Sequence, residues 1–392
     1  MKYTLIALCP EELKPVIIDE LKSLGAYSIQ PSFKAISFEV SEQDYYMCHL
    51  KLRTASTLIR SIRVFNHVKP ADIAKLSQNI KWAKLFASNK KFRVDATITD
   101  RGKDLPSSNV ISKFVRQAIE DDFKKQNLPI PKVDLKEPQI MVTAFYSKNV
   151  LTIGFNTARM SLHKRGYRLE GHPAPVKETM ASALIDFMGY DGTQAFLDPM
   201  CGSGTIAVEA CYKALKKAPQ IHRKKNIFGF EHLKDFNSEL WREIQDTVRK
   251  EKIEILPAPI FASDIDGQYV SGAKSNALRA RVEKHIEFQE KSLFDLSKPC
   301  DTGIMLSNLP YGERIGEKEG LKDFYQNIGT HLKHNFTGWK IGLFVNEESP
   351  WKFIGLHPSK KINLLNGSIK TKLLIFDIYD GSRRGKSKTS ES

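Results

Sequence analysis

The stretch "FLDPMCGSGT", residues 196–205, constrains the fold more than any other part of the chain. An apolar run ends in Asp198, glycines follow at 202 and 204, and helix-forming "TIAVEACYKALKKA" begins at Thr205. Glycines let backbone approach a ligand closely, and a helix start presents N–H groups without helical partners. In open α/β sheets such a strand-to-helix corner is where nucleotides bind. A Gly-x-Gly pair alone also occurs in plain tight turns. No Lys-Ser/Thr pair follows the glycines, so this is not a phosphate loop, and the dinucleotide form Gly-x-Gly-x-x-Gly is missing.

The C-terminal half repeats the same grammar. Helix "VKETMASALIDFMGY" leads into the corner, and an amphipathic insert follows it. Strand "IFASD", helix "YVSGAKSNALRARV", strand "IEFQEKSLF", strand "GIMLSNLP", helix "LKDFYQNIGTHLKHNF" and strand "KIGLFVN" come next. The alternation predicts an α/β, doubly wound, mostly parallel Rossmann-like sheet over 174–382, and the closing pair "KINLLN" and "KTKLLIFDIYD" adds an antiparallel edge. Upstream, 1–65 reads as a β-α-β-β-α unit of ferredoxin-like type, with its second helix expected over 41–62. A second α+β pattern covers 66–157, with helical "PADIAKLSQNI" and "KWAKLFA" at its start, and a basic linker covers 158–173. The tail 383–392 has no apolar anchor and is expected to be disordered. A chain of 392 residues suits two or three domains.

Chemistry gathers at the strand ends. Asp198, Met200, Gly202, Gly204 and Thr205 form the corner. One strand later "SDID" offers Asp264 and Asp266 around Ile265, and a carboxylate at a second strand tip can accept both ribose hydroxyls of an adenosine group. The third strand runs to Ser292 and Asp295, where a side chain or backbone could meet an adenine edge. Each Asp alone is as readily a helix cap. In this order they suit an adenosyl ligand without a phosphate.

The fourth strand ends in "SNLPYG". An exocyclic nucleobase amine is a poor nucleophile because its lone pair is conjugated into the ring. The side-chain carbonyl of Asn308 and the backbone carbonyl of Leu309 can accept its hydrogens and localise that lone pair. Pro310 stiffens the turn, and Tyr311 offers a ring face for an unstacked base. Such a site works chiefly by positioning. The same four residue types also make ordinary β-turns.

Composition narrows the partners. The 60 Lys plus Arg against 45 Asp plus Glu give a net charge of +15, which favours a polyanion such as nucleic acid. The five cysteines are scattered without CxxC, so no disulfide framework, zinc site or other metal site is expected. The N-terminal "MKYTLIALCPEEL" reads as a strand running into a helix and not as a signal peptide, and no apolar stretch approaches bilayer length. A cytoplasmic, soluble chain is expected, with no membrane and no obligate protein partner. Carbon-5 pyrimidine methylation would need a cysteine over the base, and Cys300 precedes the fourth strand at the wrong end.

"DPMCGSGT", "SDID" and "NLPYG" in this order resemble class I S-adenosylmethionine-dependent methyltransferases that modify exocyclic or amide nitrogens. The subgroup it resembles is the bacterial large-subunit rRNA guanine-N2 methyltransferases carrying a THUMP domain. Further matches are "LRTAST" (52–57), "SLHKRGYR" (161–168) and "APVKETMASAL" (174–184), so the similarity covers nearly the whole chain. The resemblance implies that Asp198, Gly202 and Gly204 line the methionine end of S-adenosylmethionine. Asp264, with Asp266 beside it, would hold the ribose, and Asn308, Pro310 and Tyr311 would form the base site. It also implies RNA binding by 66–157. Lys164 and Arg165, the helix end "KALKKA" and "HRKK" at 222–225 are either phosphate contacts or solvated charge.

Departures from the family pattern are visible. Leu309 stands where Asn-Pro-Pro-Tyr has its first proline, so a looser turn is expected with the carbonyl retained. Ser292 stands where an acid is usual at the third strand, leaving Asp295 as a substitute. The insert "NIFGFEHLKDFNSELWREI" separates Asp198 from Asp264, and Glu231, ending a strand-like piece there, is a rival for the ribose. Some relatives carry a second methyltransferase domain, and this chain is read as the single-domain form with one activity. The leading expectation is guanine-N2 methylation of 23S rRNA. The alternatives are a tRNA guanine-N2 methyltransferase, a DNA adenine-N6 or protein glutamine methyltransferase, and a catalytically lapsed RNA-binding protein.

Overall fold

Tyr3, Leu5 and Ala7 are buried on one face of strand β1 (Lys2–Leu8), the period-two pattern of a strand packed on helices. In the computed structural model, which describes residues 1–98, 106–168, 176–224, 226–310 and 318–379, β1 is followed by α1 (Lys14–Ser23), β2 (Tyr27–Ser32), β3 (Ala35–Ser41), α2 (Glu42–Lys51) and β4 (Thr57–Phe65). Ser41 caps α2 by accepting from the Asp44 N–H at 3.1 Å. The helix expected over 41–62 therefore stops at Lys51. Leu52 turns extended, and Thr57–Phe65 pairs antiparallel with β1 on one side. Propensity was ambiguous there, and the open edge of β1 decided it.

β4 also pairs with β7 (Val150–Asn156), so the next pattern continues the same sheet. Its other elements are α3 (Ile73–Gln78), β5 (Phe92–Ile98), α4 (Ser108–Lys125) and β6 (Ile140–Ser147). The seven strands run β2-β3-β1-β4-β7-β6-β5, antiparallel except for β5 against β6. "KWAKLFA" holds only one tight turn, Trp82–Lys84, with the Trp82 ring fully buried.

The second sheet and its helices are α5 (Glu178–Phe187), β8 (Ala195–Asp198), α6 (Thr205–Ala214), β9 (Ile260–Asp264), α8 (Gly267–Arg279), β10 (Glu287–Glu290), β11 (Gly303–Asn308), α9 (Lys318–Asn335), β12 (Trp339–Asn346), β13 (Lys360–Asn366) and β14 (Ile369–Asp377), with α7 (Ser238–Lys250) falling between α6 and β9 in the chain. Its strand order is β10-β9-β8-β11-β12-β14-β13, parallel from β10 to β12 with β14 antiparallel between β12 and β13. Ile304, Met305, Leu306 and Ser307 are all buried, as a central parallel strand covered on both faces requires. Leu321, Tyr325, Ile328 and Leu332 recur at helical spacing on α9 and share a core with Met305, Leu309 and Trp339. The order reverses at β8, which puts the ligand crevice at the carboxyl ends of β8 and β11.

The chain divides into two units, Met1–Arg165 with Ala218–Lys250, and Gly166–Lys217 with Glu251–Ser392. The insert and α7 thus belong with the first sheet. Phe228 and Phe230 stack at 5.1 Å, Phe230 meets His49 of α2 at 4.7 Å, and Trp241 meets Tyr46 at 5.6 Å. The Asn237 N–H donates to the Tyr46 hydroxyl at 3.0 Å, and Arg60 pairs with Asp235. The strand expected to end at Glu231 is instead a tight turn, Gly229–His232. Among the described residues no helix is long and apolar enough to cross a membrane.

Candidate active site

Asp198 closes β8 with its side chain fully buried, and among the described residues its Oδ1 has no hydrogen-bond partner. Burial raises its carboxyl well above the usual carboxylate range, and neighbouring Asp264 adds to the rise. Such an orphaned oxygen is what a ligand cation would satisfy. After it, Gly202 (φ +50°) and Gly204 (φ +73°) both adopt left-handed backbone. A Cβ on Gly204 would lie 2.9 Å from that of Ala273 on α8, so this glycine permits the loop to touch α8. A Cβ on Gly202 would point into open space, leaving that side of the loop for a ligand.

Asp264 at the tip of β9 is nearly buried. Its Oδ2 accepts from the Gly202 N–H at 2.9 Å and its Oδ1 from the Asp266 N–H at 3.2 Å. Asp266 is exposed and caps α8, accepting from the Gln268 N–H at 2.8 Å. Ile265 between them is 74% exposed. Ser292 caps the turn after β10, accepting from the Phe294 N–H at 3.3 Å, and Asp295 at that turn's end is exposed. Glu231 is part of the first unit, where it accepts from the Asn226 and Phe228 N–H groups at 3.2 and 2.9 Å.

β11 pairs with β8 from Gly303 to Met305, so Asn308 overhangs the end of β8 on the same crevice. Asn308 is half-buried. The Leu309 N–H donates to the Phe344 carbonyl at 3.0 Å and its side chain is fully buried. The turn expected to be looser at Leu309 runs into residues 311–317, outside the described residues. Leucine keeps an N–H that proline lacks, and it carries the β11–β12 ladder one residue further. Pro310 is half-buried, and Tyr311 lies outside the described residues.

Several further residues support the corner, most of them within 161–168, 174–184 and the corner itself, where the motifs gave them no role. The buried Asn276 of α8 donates to the Ser203 carbonyl at 2.9 Å, and Ser203 and Thr205 hydroxyls meet at 3.0 Å. Arg168 donates to the Val176 carbonyl at 2.8 Å and lies 3.7 Å from buried Glu178. Beneath the corner, buried Glu209 accepts from Tyr167 at 3.0 Å and Ser182 at 2.7 Å. Cys201 is pushed well above an ordinary thiol by burial and by Asp198 and Asp264, so it offers no thiolate nucleophile.

Comparison with known families places the description "RMKL-like, methyltransferase domain" on residues 165–375, more than half of the chain. The chain belongs to the RMKL-like methyltransferase family. Ahead of the RMKL-like domain, a THUMP domain matches residues 70–156 and an RlmL ferredoxin-like domain matches 4–57. A relative named ribosomal RNA large subunit methyltransferase K/L from Vibrio campbellii is 33% identical over 369 residues, covering 93% of this chain and 52% of the relative. The RMKL-like chain thus spans about half the length of that curated relative. A candidate RNA methyltransferase of Synechocystis sp. is 31% identical, with 94% of each chain covered. Among solved structures, a methylase candidate from Clostridium difficile 630 superposes with a TM-score of 0.87 at 26% identity, covering 98% of this chain and all of that one. The RMKL-like domain is an α/β class I methyltransferase fold, as expected.

The family's basic stretches have specific places here. Arg165 is buried and donates to the Leu162 and Arg53 carbonyls, so it is neither a phosphate contact nor solvated. Lys217 is likewise buried, donating to the Ala280 carbonyl, and burial lowers its pKa to about 8. Lys213 pairs with Asp186, whereas Lys164, Lys216 and Lys224 are exposed.

Proposed function

We propose that this chain is an S-adenosylmethionine-dependent methyltransferase acting on the exocyclic N2 amine of a guanine in large-subunit ribosomal RNA, in the cytoplasm. The observation that carries the reading is the placement of Asn308 and Leu309 at the end of β11, overhanging the corner that Asp198, Gly202 and Asp264 build. The cofactor supplies an electrophilic methyl on a sulfonium. Asp198 takes its ammonium group, the open side of Gly202 admits the methionine end beside Met200, Gly204 and Thr205, and Asp264 takes the ribose. Exposed Ile265 covers one face of the adenine, Ser292 and Asp295 stand at its edge, and Asp266 keeps α8 in place.

Asn308 Oδ1 and the Leu309 carbonyl accept the two hydrogens of the target amine and localise its lone pair toward the cofactor side. Tyr311 supplies the stacking face in this reading. Once the nitrogen is cationic its proton leaves to water, so no general base with a shifted pKa is required. Positioning carries most of the rate. The THUMP domain and the excess of cations favour RNA over a protein substrate, and the name of the Vibrio campbellii relative supports ribosomal RNA. Nucleoside mass mapping of rRNA and tRNA from a deletion strain tests this. A single missing N2-methylguanosine in large-subunit rRNA supports it, and one missing only from tRNA contradicts it.

A further inference from the structure

A cavity of about 410 Å³ lies in the insert, walled entirely by residues between Gln220 and Arg249. Ser238, Trp241, Arg242, Gln245 and Arg249 recur three and four apart, so one face of α7 forms one wall. Phe228 and Phe236 add aromatic surface. Among the described residues four of those lining it are cations, Arg223, Lys224, Arg242 and Arg249, against one acid, Glu231, whose pKa burial raises. Lys224 and Arg242 are exposed, and among the described residues neither has a carboxylate partner.

Two buried polar atoms of residues that line the cavity lack partners among the described residues. Gln220 is 1% exposed, and while its Nε2 donates to the Leu162 carbonyl at 2.8 Å, its Oε1 accepts from none of the described residues. Arg223 donates from Nη2 to the Ser161 and Lys164 carbonyls, at 2.6 and 3.2 Å, and from Nη1 to the Met160 carbonyl at 3.4 Å, and its Nε has no partner among the described residues. Buried polar groups are ordinarily satisfied, so an orphan acceptor and an orphan donor on one cavity point to a ligand. A nucleobase edge presents that complementary pair, aromatic walls suit its ring, and free cations suit its phosphates.

We propose that this cavity is a second, non-catalytic nucleotide site that takes one unstacked nucleotide of the RNA substrate, with the base edge on Gln220 and Arg223 and the flanking phosphates on Lys224 and Arg242. It would fix a point on the RNA in addition to the target base. The proposal rests on the RNA-substrate reading above.

The full-length protein is titrated with a fluorescein-labelled, unstructured RNA 12-mer by anisotropy over a salt series, beside the double variant Lys224→Glu/Arg242→Glu. Both side chains are exposed, so the fold and cofactor affinity should be unchanged. A roughly tenfold weaker affinity and a salt slope shallower by about 1.4 are expected for two lost single-strand phosphate contacts. With 4-thiouridine RNA, the wild-type crosslink should map to the peptide carrying Phe236 and Trp241. Unchanged affinity and slope, or crosslinks only outside residues 220–249, overturn the second site and leave the methyltransferase reading intact. Wild-type protein that binds no RNA sinks both. Free AMP that competes as well as the oligonucleotide overturns the assignment to RNA and makes the cavity a free-nucleotide site.

Discussion

Asp264 Oδ2 accepts a hydrogen bond from the Gly202 N–H at 2.9 Å, so the tip of β9 holds the glycine corner of β8 in place. One carboxylate thereby shapes the loop and faces the crevice beside Asp198. Asp264→Ala should therefore both loosen the fold and weaken the cofactor. Losing hydrogen bonds to a charged group costs about 1.5–3 kcal/mol, partly offset because Asp198 loses a repulsive neighbour. Denaturation should show that loss, and calorimetry should show at least about tenfold weaker cofactor binding, near 1.4 kcal/mol. Full cofactor affinity would move the ribose role to another residue.

Asp198 gives the apo protein a pH dependence of definite sign. Folding raises its pKa, so its contribution is full below the unfolded value near 3.8 and is lost as pH rises toward the folded one. Asp198→Asn does not titrate. The variant should become progressively more stable than wild type as pH climbs above about 4, while binding cofactor more weakly because the ammonium loses its counter-charge. Melting curves across pH without cofactor test this, and parallel wild-type and variant curves would contradict it.

The strand-to-helix corner, the doubly wound sheet and the residue types at the strand ends were legible because each rests on local pattern. Asp198, Asp264 and Asn308 could be placed on one edge from order alone. The insert's home could not. Phe228, Phe230 and Trp241 announce an apolar face, but their partners Tyr46 and His49 lie far upstream, and no periodicity names a partner. The end of α2 is hidden from the sequence for a similar reason, since Thr57–Phe65 is a strand because β1 and β7 leave it a slot. Arg165 and Lys217 looked like surface charge because sequence shows the cation and not the carbonyls around it.

The two corner glycines should separate stability from binding. Gly204→Ala puts a side chain on left-handed backbone and against Ala273, and should cost about 1–3 kcal/mol. Gly202→Ala meets no atom of the described residues and should cost about 1 kcal/mol, with most of its effect on cofactor affinity. Denaturation midpoints and calorimetry on both variants check the contrast. Unchanged cofactor affinity in Gly202→Ala would show that Gly202 does not face the ligand.

Leu309→Pro restores the family's usual residue and should nonetheless harm this chain. It removes the N–H on the Phe344 carbonyl and much of a fully buried side chain, an expected loss of about 2–4 kcal/mol. Because the carbonyl at this position survives, turnover at low temperature should fall less than stability does. A variant as stable as wild type would mean the ladder bond contributes nothing.

The most direct measurement is methyl transfer to purified large-subunit rRNA by wild-type and Asn308→Ala protein, read by nucleoside mass spectrometry beside cofactor calorimetry. N2-methylguanosine should form with wild type and vanish with Asn308→Ala, while cofactor affinity stays the same. Continued transfer by the variant, or a wild-type product methylated at any atom other than guanine N2, would contradict the assignment of Asn308 and of the reaction.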